Sequence, residues 1–155
     1  MFRDMRLIPF LRRPDPMPPV QFYEQLDPAV FVLRLVPGMR ADIIPLLAPH
    51  YRALVVESFG VGGLPGGEHG EMYARLQDWC TSGRLAVFTT QVPHEGCDLA
   101  VYEVGRSVKE LPGVLEAKDM TPEAVAVKLM WALGQTTDRA EAMRLFTTPV
   151  EWDIV

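Results

Sequence analysis

The sequence predicts a small α/β domain of three layers, a parallel sheet of about four strands flanked by helices, and three observations carry that expectation. The segments Val30–Val36, Ala53–Val56 and Leu85–Phe88 are short, almost continuously apolar and rich in β-branched residues. Strands buried on both faces read this way, because neither face needs polar side chains. Each is followed by a segment with helical spacing or a helix-start signal, as the crossover between parallel strands requires. Each also ends in small or polar residues: Pro37-Gly38, then Glu57-Ser58-Phe59-Gly60, then Thr89-Thr90-Gln91. In open parallel sheets ligands gather at the C-terminal strand ends, so this edge is the expected functional face.

The elements follow in order. Pro9, Pro14, Pro16, Pro18, Pro19 and Pro28 crowd the start of the chain, each removing a backbone donor and restricting the residue before it. Residues 1–29 therefore read as a linker and residues 30–155 as the domain, with Phe10, Leu11, Phe22 and Tyr23 able to pack down on it. The first strand stops at Pro37-Gly38, and Ala41–Leu47 is a short apolar helix in which Pro45 is tolerable only near the first turn. After the second strand and a glycine-rich stretch, Met72, Leu76, Trp79 and Cys80 form an apolar stripe on a helix from about Glu68 to Ser82-Gly83.

The pattern weakens past residue 97 and returns at Thr121-Pro122-Glu123, where an N-cap, a proline at the first helical position and an early acid mark a helix start. From Ala124 to Leu133 only Lys128 is polar, so this helix crosses the core or meets another domain or subunit. Asp138 with Glu141 predicts a capping box for a last helix ending near Phe146.

Composition bounds the partners. With 155 residues and 48% hydrophobic and 23% charged residues, the chain has one globular domain's composition, and its net charge of −5 lacks the basic footprint of a nucleic-acid binder. Arg3, Arg6, Arg12 and Arg13 break up the N-terminal apolar residues, and no run reaches membrane-spanning length. No export and no membrane are expected. Cys80 and Cys97 sit in no CxxC pattern, so they read as reduced thiols of a cytoplasmic protein.

Candidate chemistry is sparse. Gly60-Val61-Gly62-Gly63-Leu64-Pro65-Gly66-Gly67 lies where a phosphate loop would, but Pro65 stands where the third glycine of GxGxxG belongs. Ser58 follows a strand with Gly60 two residues on, yet Val56 occupies the first glycine of a nucleophile elbow, which favours a serine bonded to nearby backbone or to a substrate. His94, Glu95, Cys97 and Asp98 cluster without a second ligand group, so a polar loop is expected over a metal site. His50 and His69 read as surface residues. Neither a metal nor a cofactor is expected.

The order of motifs from about Phe31 to Phe146 resembles the C-terminal domain of bacterial type I (cytoplasmic) L-asparaginases. It runs through Val36-Pro37-Gly38, Glu57-Ser58-Phe59-Gly60-Val61-Gly62-Gly63-Leu64-Pro65, Thr89-Thr90-Gln91-Val92 and Glu95-Gly96. Val101-Tyr102, Val104-Gly105, Asp119-Met120-Thr121-Pro122-Glu123-Ala124, Lys128-Leu129 and Leu133-Gly134-Gln135-Thr136 follow. The resemblance implies hydrolysis of L-asparagine to L-aspartate and ammonia by a threonine nucleophile without a cofactor. That nucleophile belongs to the family's N-terminal domain, whose Thr-Gly-Gly-Thr and Asp-Gly-Thr motifs this chain lacks, so no catalytic residue is expected here and Thr89-Thr90 are not substitutes. Carried over by position, Ser58, Gly62, Gly63, Gln91 and Tyr102 are the expected substrate-lining residues, in a homo-oligomer.

Relatives often have Asn at Gly63, Arg at Glu57 and Cys at Val92, departures that bear on direct substrate contact and on asparagine-linked regulation. Two alternatives stand beside this reading. One is the asparaginase-like subunit of glutamyl-tRNA(Gln) amidotransferase, which the stretch Lys128–Thr136 also resembles. The other is a standalone α/β interaction or small-ligand module.

Overall fold

The computed structural model describes residues 2–3, 6–7, 19–60, 62–66, 70–92, 96–101, 103–150 and 153–154. A two-residue antiparallel pair, β1 (Phe2–Arg3) and β2 (Arg6–Leu7), precedes the main sheet. That sheet holds four parallel strands, β3 (Val30–Arg34), β4 (Ala53–Ser58), β5 (Leu85–Thr90) and β6 (Val114–Glu116), side by side in chain order. Their register aligns Val32 with Val55, Val55 with Val87, and Val87 with Leu115.

Chain-order pairing decides where the helices go. Right-handed crossovers that always step in one direction place every connecting helix on the same face. Accordingly α1 (Ile43–Leu47), α2 (Glu71–Thr81) and the end of α3 (Glu103–Lys109) share a core with Leu33, Leu54, Val56, Ala86 and Phe88. The other face is left to α4 (Pro122–Gln135) and α5 (Arg139–Thr147), whose Val125, Leu129, Leu133 and Phe146 pack on Val30, Val55, Val87 and Leu115. Three layers result, and all six residues of β4 and of β5 are buried.

The predicted elements are present with shifted ends. Strand β3 stops at Arg34, two residues before Val36, while β4 and β5 each run two residues further, into Ser58 and Thr90. Pro45 is the third residue of α1, inside its first turn. The helix predicted from about Glu68 begins, among the described residues, at Glu71. Thr121 caps α4 through its side chain, which accepts from the Ala124 amide at 3.3 Å. At α5 only half of the capping box forms: Asp138 Oδ1 accepts from the Glu141 amide at 2.7 Å. The Asp138 amide goes instead to Thr136 Oγ1 at 3.0 Å, because Glu141 is taken by Arg144 at 2.6 Å.

The apolar circumference of α4 is used on several sides. Its inner face meets the sheet, and Lys128, only 7% exposed, is satisfied by Asp153 Oδ2 at 2.7 Å and the Thr148 carbonyl at 2.8 Å. The chain ahead of β3 lies along it. Tyr23 meets Trp131 edge-on at 5.2 Å, Gln135 Nε2 donates to the Gln25 carbonyl at 2.8 Å, and a Cβ at Gly134 would fall 2.5 Å from that carbonyl oxygen. Val127 remains 58% exposed beside an apolar groove of about 530 Å³ lined also by Tyr23, Trp131, Leu145 and Val150. Among the described residues no helix is long and apolar enough to cross a membrane.

Candidate functional site

The C-terminal edge of the sheet is built from three strand ends that hydrogen-bond to one another. Gln91, just past β5, is their clasp: its Nε2 donates to the Leu35 carbonyl at 2.7 Å and the Glu57 carbonyl at 2.8 Å, and its backbone amide donates to the Ser58 carbonyl at 3.3 Å. One side chain thereby ties the ends of β3, β4 and β5. Both amide protons are spent on carbonyls, which fixes the side chain's orientation, since an oxygen in that place would face two oxygens. The amide oxygen is the half left to meet a ligand.

Replacing Gln91 by Ala strips the Leu35 carbonyl of that donor, while Glu57 keeps the Leu35 amide at 3.1 Å. The expected cost is about 1–2 kcal/mol. Gln91→Glu should cost more, because a carboxylate oxygen would oppose the same carbonyls. Urea unfolding of both variants beside the native chain checks the order.

Ser58 and Thr90 are held by backbone. The Ser58 hydroxyl is fully buried and donates to the Thr89 carbonyl at 2.8 Å. Thr90 Oγ1 donates to the Gly60 carbonyl and accepts from the Val92 amide. Ser58 leads into a tight loop and not into a helix, so the strand–turn–helix of a nucleophile elbow is absent at this position. Its role here is to lock β4 to β5.

The glycine loop folds on itself. Phe59 and Gly63 form an antiparallel bridge, and the amides of Gly62 and Gly63 both donate to the Phe59 carbonyl, at 3.2 and 2.7 Å. Those amides are therefore turned inward and unavailable to a phosphate. Gly62 adopts φ +148°, and a Cβ there would sit 2.9 Å from Leu99 Cδ2. At Gly63 a Cβ would stand 3.1 Å from the Phe59 oxygen, so any side chain there needs a slightly wider loop.

On the opposite face of the same strand ends lie Glu57 and Thr89, aligned across β4 and β5. Glu57 is 9% exposed with Arg34 at 3.6 Å, and Thr89 Oγ1 is buried with no hydrogen-bond partner. In the sequence Glu57 stands out only as a departure from relatives; its burial follows from the two-residue extension of β4, which apolar patterning alone does not signal.

Both cysteines are buried thiols. Burial pushes Cys80 up to about 11 and Cys97, with help from Glu116 and Asp98, up to about 12. Thiols so protonated are packing groups and not nucleophiles. Among the described residues no cluster of His, Cys, Asp or Glu could hold a metal. Tyr102, His69, His94 and Glu95 lie outside the described residues. The structure thus gathers Ser58, Gly62, Gly63 and Gln91 at one edge.

Residues 29–146 match the family described as the glutaminase/asparaginase C-terminal domain. The L-asparaginase of Thermococcus kodakarensis is 37% identical over 133 residues, covering 86% of this chain and 40% of that protein. A glutamyl-tRNA(Gln) amidotransferase subunit from Metallosphaera sedula is 36% identical over 140 residues, covering 90% of this chain and 30% of its own length. Among solved structures, the thermostable L-asparaginase from Thermococcus kodakarensis superposes with a TM-score of 0.77 at 36% identity, over 84% of this chain and 39% of that one. L-asparaginase I from Vibrio cholerae gives 0.73 at 25% identity, over 83% and 38%. The chain spans two-fifths or less of the length of these relatives.

Proposed function

The chain belongs to the glutaminase/asparaginase C-terminal domain family, and from that premise we propose that it closes the active site of an L-asparaginase-type amidohydrolase of the bacterial type I, cytoplasmic group. In this reading the threonine that attacks the side-chain amide of L-asparagine comes from a catalytic domain carrying Thr-Gly-Gly-Thr. Residues 30–155 supply the wall facing it, residues 1–29 the connection, and no cofactor takes part.

One observation carries the reading. The strand-end clasp of Gln91, with Ser58, Gly62 and Gly63 around it, forms a rigid polar edge whose own hydroxyl and amide groups are committed to backbone. Such an edge can orient an amide substrate through the Gln91 carbonyl but holds no activated nucleophile. Tyr102 is proposed to complete it. The apolar groove along α4 supports contact with another subunit of a homo-oligomer, since exposed apolar surface of this kind marks interfaces.

The 155-residue chain alone should release no ammonia from L-asparagine above a heat-killed control. Ammonia release should appear when an N-terminal asparaginase domain is supplied, and should fall when the chain carries Gln91→Ala. Turnover by the chain alone would overturn the assignment. A second reading, the asparaginase-like subunit of glutamyl-tRNA(Gln) amidotransferase, is favoured by the 36% identity to the Metallosphaera protein. It predicts that activity with the catalytic domain depends on a tRNA-binding partner and charged tRNA, and that glutamine replaces asparagine as the ammonia source.

A further inference from the structure

At the other end of the sheet, where the strands begin, three arginines converge on an open pocket of about 370 Å³. Arg52 stands just before β4, Arg84 just before β5, and Arg139 opens α5; His50, Ser82 and Thr137 complete the polar lining, and among the described residues no Asp or Glu lines it. Convergence of this kind is notable in a chain of net charge −5. Arg52 has a carboxylate partner, Asp27 at 2.6 Å.

The other two guanidinium groups differ in a telling way. Arg84 is fixed by the structure: it donates to the carbonyls of Tyr51 at 3.3 Å and Ala48 at 2.8 Å and to Ser82 Oγ at 2.6 Å, and it stacks over Trp79 at 5.2 Å. Arg139 is held by packing instead. It lies against Gly113, where any Cβ would collide with its guanidinium, and its Nε and Nη2 are buried without an acceptor among the described residues. A buried donor left without a partner is costly, and a buried cationic one more so. An acceptor from solution reaches these two nitrogens only if the side chain turns toward the pocket that Arg139 lines.

We propose that this pocket binds a small oxyanion, a phosphate or carboxylate group, clamped between Arg84 and Arg139 with Arg52 adding charge. Planar guanidinium forks match both groups through paired N–H···O bonds, which explains arginine at all three positions in place of lysine. The volume is at the small end of ligand pockets and suits a metabolite of a few carbon atoms. The site is separate from the Gln91 edge, being at the opposite ends of the same strands, and does not depend on the amidohydrolase reading.

Thermal unfolding of the full chain at constant ionic strength, in chloride, inorganic phosphate or succinate, tests this. Tm should rise saturably with phosphate or succinate relative to chloride; the stronger of the two identifies the anion class. Arg139→Met should leave Tm in chloride unchanged or raise it, since it removes an unpaired buried charge, and should weaken the anion's apparent Kd about tenfold or more. A purely structural arginine would instead lower Tm in chloride. Arg139→Lys keeps the charge without the fork and should show an intermediate loss, which serves if the methionine variant does not fold. Arg40→Met, at a surface arginine paired with Asp42 at 2.7 Å, should respond like the native chain. Absence of a saturable rise with either anion, or a rise that both Arg139 variants retain, overturns the proposal.

Discussion

Moving the chain from about pH 8 to about pH 10 is expected to remove roughly 3 kcal/mol of folding stability, through the two buried thiols. In the unfolded chain each ionises near 9.0, whereas burial holds Cys80 protonated to about 11 and Cys97 to about 12. The folded state thus binds protons more tightly than the unfolded one. Their contribution is complete below about 9 and is lost as the pH climbs toward about 11 and about 12, at about 1.4 kcal/mol per pH unit for each thiol. For a domain of ordinary stability, about 5–15 kcal/mol, that is a large fraction. Urea unfolding at stepped pH should show the decline, and the Cys80→Ala, Cys97→Ala double variant should show a flatter profile despite a lower starting stability. Equal slopes for the two proteins would mean that the thiols do not control the alkaline limb.

The same burial explains which parts of the fold the sequence announces. Strands β4 and β5 are legible because burial on both faces forces apolar runs, and α4 because Thr121 and Pro122 mark its start chemically. Strand β3 carries a similar apolar run but is an edge strand, with Val32 41% exposed, so the expected burial of all three strands on both faces does not hold for it. The ends of β4 and β5 are not legible by hydropathy. Glu57-Ser58 and Thr89-Thr90 are polar yet fully part of the sheet: Ser58 and Thr90 donate to carbonyls, Glu57 meets Arg34, and Thr89 Oγ1 is buried without a hydrogen-bond partner. That is where hydropathy patterning fails. The motif order, by contrast, points straight to this edge, because Gln91 and the glycine loop occupy positions that backbone geometry dictates.

Helix α3 and strand β6 escape prediction for a different reason. Seven residues including Gly105, and a strand of three, are too short to show a period, and their stability is tertiary. The Leu99 amide donates to Glu116 Oε1 at 2.8 Å, and Glu116 pairs with Lys109 at 2.9 Å, so loop, strand and helix close a circuit. The arginine pocket escapes as well: Arg52, Arg84 and Arg139 lie far apart in sequence, and only the parallel sheet brings its strand starts together.

Gly105→Ala is expected to destabilise the domain by about 2–3 kcal/mol, against a helix-propensity gain of about 1 kcal/mol for the same change. Only at an exposed helical site would the gain decide the sign. Here a Cβ would stand 2.4 Å from the Leu99 carbonyl oxygen and 3.1 Å from its Cα and carbonyl carbon. The obstacle is backbone, and it cannot retreat. Leu99 is fully buried in the core beneath α3 and tethered through its amide to Glu116. Relief must come from lifting α3, which would loosen Val108, itself fully buried, and the Lys109–Glu116 pair. Since Leu99 also walls the glycine loop at Gly62, the strain should reach the candidate site. Urea midpoints for Gly105→Ala together with Gly62→Ala, separately and combined, measure this. Destabilisation in each single variant with less than additive loss in the pair would show that both lean on Leu99. A stability equal to or above native for Gly105→Ala would mean that α3 moves freely and that the circuit through Glu116 does not constrain it.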